Sequence, residues 1–163
     1  MSHSKIFQIS RKPIDPDDYK SPSDYYDDHR DFADWIGDEV DDEDDRKHCI
    51  ECLVKELDGV FSIGENDTIV FNGSKPLNKF LESWANQLKG LVNGMKKETL
   101  VSGSVLRNLR LMATDTHKYS DYRIDIEDYT CCAAPLCDLI DYAAWELKKG
   151  KKLYIGAIID YHY

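Results

Sequence analysis

Apolar positions along this chain recur with two different periods, and the switches between them mark the elements. In KIFQISRKPI, Ile6, Phe7 and Ile9 predict a short first strand, which Pro13 and Pro16 end because proline has no amide to give a ladder. The following DPDDYKSPSDYYDD is rich in Asp, Ser and Pro and reads as a loop. Phe32, Trp35, Ile36 and Val40 then fall at i, i+3, i+4 and i+8, the spacing that lines one helix face, with Asp28 or Asp31 as N-cap. A second helix is expected through DDRKHCIECLVKEL. Asp44 or Asp45 would cap it, Ile50, Leu53, Val54 and Leu57 would be its buried stripe, and Gly59 would stop it.

VFSI-GEND-TIVF places two short runs of branched and aromatic residues around a turn containing Gly64, Asn66 and Asp67, and so predicts a β-hairpin. Ser74 is the expected cap of a longer helix, with Pro76 in its first turn. Leu77, Phe80, Leu81, Trp84, Leu88, Leu91 and Val92 make its stripe, expected to form the main core layer, and Asn93-Gly94 closes it. Over 96–114, Leu100, Val101, Val105, Leu109 and Met112 favour a helix, although LRLMAT alternates like a strand. Tyr122, Ile124 and Ile126 alternate with Arg123, Asp125 and Glu127, a strand with one wet face. Pro135 opens a last helix burying Leu136, Leu139, Ile140, Ala143, Ala144 and Leu147 and ending at Gly150. KKLYIGAIIDYHY carries an apolar run long enough for a central strand. The pattern defines an α+β fold in a single domain, 1–163. Its sheet is expected to be mainly antiparallel, built from a short N-terminal strand, the central hairpin and two C-terminal strands, with amphipathic helices on one face.

Charge changes this picture by being uneven. The 163 residues sum to −10, yet fifteen acids and two bases lie between Asp15 and Asp45, a local charge of −13. Residues 1–14 carry +3 and the chain from Arg46 onward is neutral, so one acidic, aromatic-bearing segment over 15–45, docked on the core, holds all the acidity. Such a field repels phosphates and attracts basic partners, which argues against nucleic-acid binding. The apolar runs are too short for a membrane span and no secretory leader is visible. Five cysteines are an odd number at low density, and a cytoplasmic protein is expected.

Cys49-x-x-Cys52 beside His48, together with Cys131, Cys132 and Cys137, raises structural zinc. The first pair falls inside a predicted helix and the second group has no usual ligand spacing, so no metal and no cofactor is assigned. Asp41-Asp42-Glu43-Asp44-Asp45 lacks the central glycine of a calcium loop and suits a helix start. Asp125, Glu127 and Asp128 read as the solvated face of an edge strand. Cys131 or Cys132 before a helix N-terminus, with His117 or His162 as base, leaves a thiol-dependent hydrolase or transferase as the alternative function.

The leading expectation is an interaction protein that covers a basic protein surface. Tyr25, Tyr26, Asp27, Asp28, Asp31, Asp34, Trp35 and Asp38 are its contact residues, since aromatic rings give contact area at low entropic cost while carboxylates steer a cationic partner. In composition alone the chain resembles small acidic inhibitor or immunity proteins, which transfers no residue role.

Overall fold

The computed structural model describes residues 3–27, 33–96, 122–130 and 133–162. Within them the elements run β1 (His3–Ser10), β2 (Trp35–Glu39), α1 (Glu43–Glu56), β3 (Phe61–Ile63) and β4 (Thr68–Phe71). There follow α2 (Ser74–Asn93), β5 (Arg123–Ile126), a two-residue β6 (Ala134–Pro135), α3 (Cys137–Glu146) and β7 (Lys152–His162). Two single-turn 3-10 helices, Pro16–Asp18 and Pro22–Tyr25, interrupt the acidic segment. The fold is α+β around one mixed seven-stranded sheet, ordered β3-β4-β7-β1-β5-β6 with β2 also paired to β7. β1 and β5 run parallel, and every other pair is antiparallel.

The first and last strands are neighbours at the sheet centre. Against β1, Phe7 faces Ile158 and Ile9 faces Ile155, so β7 carries one extra residue there, a bulge around Gly156 and Ala157. Gly156 is required at that point. A Cβ on it would lie 2.6 Å from Gln8 Oε1 and 2.8 Å from Ile14 Cδ1. The hairpin forms as expected, with Asn66 and Asp67 both at φ 53°, left-handed positions that these residues tolerate.

The sheet buries both faces, by different means. On one, Phe7, Ile9, Ile124, Ile126, Leu153 and Ile155 pack with α1 (Ile50, Leu53, Leu57), α2 (Leu77, Phe80) and α3 (Leu139, Ile140, Ala143). On the other, Ile6, Ala157, Ile159 and Tyr161, with Ile36 of the neighbouring strand β2, are covered by Tyr25 and Ala33, with Tyr19 at the margin. The acidic segment, without any α-helix among its described residues before Glu43, thus supplies both a strand of the sheet, β2, and the cover over its second face.

Several expectations are corrected. The helix expected through Phe32–Val40 is the strand β2 in its described part, paired antiparallel with β7, with Trp35 51% exposed and Ile36 and Gly37 buried. Beyond its contacts with β4, β7 has an open edge, and β2 satisfies it. Asp34 N donates to His162 O at 2.8 Å and Val40 N to Ile158 O at 2.8 Å. The cap of α1 is Asp42, whose carboxylate accepts from the amides of Asp44 and Asp45, so both residues assigned to the cap lie inside the helix. Gly73, at φ 96°, precedes α2 in place of Ser74. Burial along α2 stops after Phe80: Leu81, Trp84, Leu88 and Leu91 are half-buried and Val92 is 52% exposed. Pro135 pairs with Arg123 in β6, which delays α3 to Cys137, and Ala144 is exposed. The segment 96–114 lies outside the described residues apart from Lys96. Among the described residues no helix is long and apolar enough to cross a membrane.

Candidate interaction site

Because β1 and β5 are parallel, they end side by side, with Ile9 opposite Ile126 and Glu127 N donating to Ile9 O at 2.9 Å. Beyond that point the chains diverge. β1 leads into the acidic segment, and β5 turns through Asp128, a left-handed residue at φ 63°. The space between them is a cleft of ≈ 570 Å³. Asp18 and Asp24 line it from the acidic segment, and Asp125, Glu127 and Asp128 from β5 and its turn. Lys12 and Lys20 are the bases on its wall, so the lining carries a net negative charge.

Each wall is held from behind. Gln8, on the covered sheet face, accepts from Lys20 N and Ala157 N, both at 3.0 Å, and donates to Asp18 O at 3.2 Å. One side chain therefore stitches the segment to β7. Ser21 N donates to Asp24 Oδ2 at 2.7 Å, which holds the Asp24 carboxyl below the usual carboxylate range and keeps it charged. The Tyr25 hydroxyl donates to Asp125 Oδ2 at 2.9 Å. Burial, and then the Asp125 charge, push its pKa far upward, so it stays a neutral donor. The Ser10 hydroxyl donates to Glu127.

A second cleft of ≈ 360 Å³ adjoins the first and shares Lys12, Glu127 and Asp128 with it. Arg11 sits there with its charge already engaged. It donates to the Tyr142 hydroxyl and to Glu146 Oε2 (2.9 Å), and its guanidinium lies 5.0 Å from the Tyr142 ring centroid. Arg11 is committed to α3 and does little to neutralise the neighbouring carboxylates.

The expected contact residues divide. Tyr25 is 2% exposed and anchors the segment instead of offering a ring to a partner, because its side chain fills the second core cluster. Tyr26 is 52% exposed, and Asp27, Asp34 and Asp38 are exposed. Trp35 is exposed too, but β2 points it away from Ile36, and its indole meets the His162 ring edge-on at 4.8 Å. Asp28 and Asp31 lie outside the described residues, as do Cys131, Cys132 and His117, so the thiol alternative has no described geometry. Cys49 and Cys52 occupy neighbouring positions on α1, and burial pushes the Cys49 thiol upward, away from reactivity.

Sequence reasoning did not find the cleft. β5 lies between β1 and β6 and is not an edge strand, so its carboxylates line a concavity at the strand end. The Ser21-x-x-Asp24 capping box was the one local signal that this stretch is ordered. No family model, curated protein or solved structure matches this chain.

Proposed function

We propose that this chain is an interaction protein that covers a basic surface of a protein partner, taking a lysine- or arginine-bearing segment into the cleft at the ends of β1 and β5. The observation that carries this reading is the convergence of Asp18, Asp24, Asp125, Glu127 and Asp128 on one concavity that holds two lysines. Carboxylates fixed by hydrogen bonds before a partner arrives need no reordering, and a guanidinium fork fits them bidentately. The same field disfavours phosphates. Exposed Asp27, Asp34 and Asp38, with Asp28 and Asp31 counted from the sequence, add to the negative field that steers the encounter, and exposed Tyr26 and Trp35 offer ring surface.

The test is fluorescence anisotropy with a labelled arginine- and lysine-rich peptide and a neutral peptide as control. The chain should bind the basic peptide with an affinity that falls as salt rises. The triple variant Asp18→Asn, Glu127→Gln, Asp128→Asn should weaken binding by about tenfold or more. Asp27→Asn, Asp34→Asn and Asp38→Asn together should mainly slow association. Equal affinity of the cleft variant and the parent would refute the cleft as the binding site.

A further inference from the structure

At the far end of the β1–β7 ladder from the cleft, three metal-ligating side chains meet on one face. The register pairs His3 with His162 and Lys5 with Asp160. Strand period two puts Asp160 on the same side as His162, so the topology places two imidazoles and a carboxylate together. One ligand atom from each of His3, Asp160 and His162 lies within 4.8 Å of the others, and no other such group occurs among the described residues. We propose that these residues bind a divalent first-row transition metal of the zinc class, leaving a coordination position open to water or an external ligand.

The geometry is close to what such an ion needs. Ligands at about 2.0–2.1 Å in a tetrahedral array stand about 3.3 Å apart. His3 Nδ1 and Asp160 Oδ2 are 3.1 Å apart, and the His3 and His162 ring centroids are 3.7 Å apart, tilted at 60°. The three ligand atoms lie within 4.8 Å of one another, so the set must draw in only to reach the tetrahedral spacing. Two imidazoles with one carboxylate suit zinc, nickel, copper or iron(II) and do not suit calcium or magnesium, which take oxygen. Three protein ligands are one short of a closed structural zinc site.

The surroundings hold the ligands in place. Lys5 Nζ donates to Asp160 Oδ1 at 2.8 Å, which orients the carboxylate with Oδ2 toward His3. Trp35 packs its ring against His162. Gly37 makes room for that indole: a Cβ there would lie 2.7 Å from the Trp35 ring and 3.2 Å from Asp160 Cβ. His3, whose side chain is 57% exposed, leaves a path for the ion.

The experiment titrates the chelator-stripped full chain with zinc by calorimetry and with cobalt(II) by visible absorption. The expected result is one bound ion per chain with the d–d bands of a cobalt site of low coordination number. Quenching of tryptophan emission by cobalt should shrink in Trp35→Phe. His3→Gln, Asp160→Asn and His162→Gln should each weaken zinc binding by more than about tenfold, since even outer-sphere partners cost that much. The double variant Cys49→Ser, Cys52→Ser should bind as the parent does. Unchanged affinity in His162→Gln, or lost affinity in the cysteine variant, would overturn the assignment. Circular dichroism checks that each variant folds; should His162→Gln fail, the exposed His3→Gln decides the same question.

Discussion

Arg46 is 7% exposed, and its guanidinium joins parts of the chain that are remote in sequence. It donates to Asp67 Oδ2 at 2.9 Å, Val40 O at 3.2 Å and Gly156 O at 2.7 Å, and lies 5.5 Å from the Tyr19 ring centroid. Replacing it with Met would leave two inward carbonyls and a carboxylate without their donor. The expected loss is about 2–4 kcal/mol in urea unfolding, and Arg46→Lys should recover little, because an ammonium cannot reach three acceptors in a plane. Asp160 offers a second test at this scale. Burial alone would raise its pKa, but the hydrogen bonds from Lys5 and His3 outweigh it and pull the value below the ordinary one. A carboxyl with a lowered folded pKa contributes stability that is complete above its unfolded pKa of about 3.9 and is lost as pH falls through the folded value. Unfolding midpoints measured downward from pH 6 should therefore drop less steeply in Lys5→Met than in the parent.

At the scale of the element, the cap of α1 separates two readings of one acidic run. Asp42→Ala should cost about 1 kcal/mol, while Asp44→Ala or Asp45→Ala should cost a few tenths, because only Asp42 accepts from the helix amides. Equal losses at all three would show that the macrodipole, and not the cap, sets the helix start. What was legible in the sequence follows from the range of the forces involved. The α1 stripe of Ile50, Leu53 and Leu57, the β3–β4 hairpin and the long run of β7 declare themselves locally, and all form as expected. β2 did not, since Trp35, Ile36 and Val40 satisfy a helical spacing and the open edge of β7 decides between the two structures. The parallel pairing of Phe7 with Ile124 joins residues too far apart for any local pattern to announce. The cleft inherits that difficulty, drawing Asp18 and Asp24 from one segment and Asp125, Glu127 and Asp128 from another. The His3, Asp160 and His162 group needed the register of β1 on β7 before it existed at all.

For the molecule as a whole, the stretch of −13 both closes the second face of the sheet and faces outward to solvent. These roles respond oppositely to ionic strength. Screening relieves repulsion among the carboxylates, so added salt should raise folding stability, by less than about 1 kcal/mol, while it weakens capture of a basic peptide. Urea midpoints and peptide anisotropy over one salt series check both signs, and parallel movement of the two would disprove the separation.

The placing of β1 beside β7 also constrains how the protein is made. While the chain is being synthesised, the hairpin and α1 can gather, but β1 has no antiparallel partner until Ile155 to Tyr161 leave the ribosome. The nascent chain must carry a half-finished hydrophobic surface until β7 has emerged, and force profiles from stalled translation intermediates should show their main rise only then.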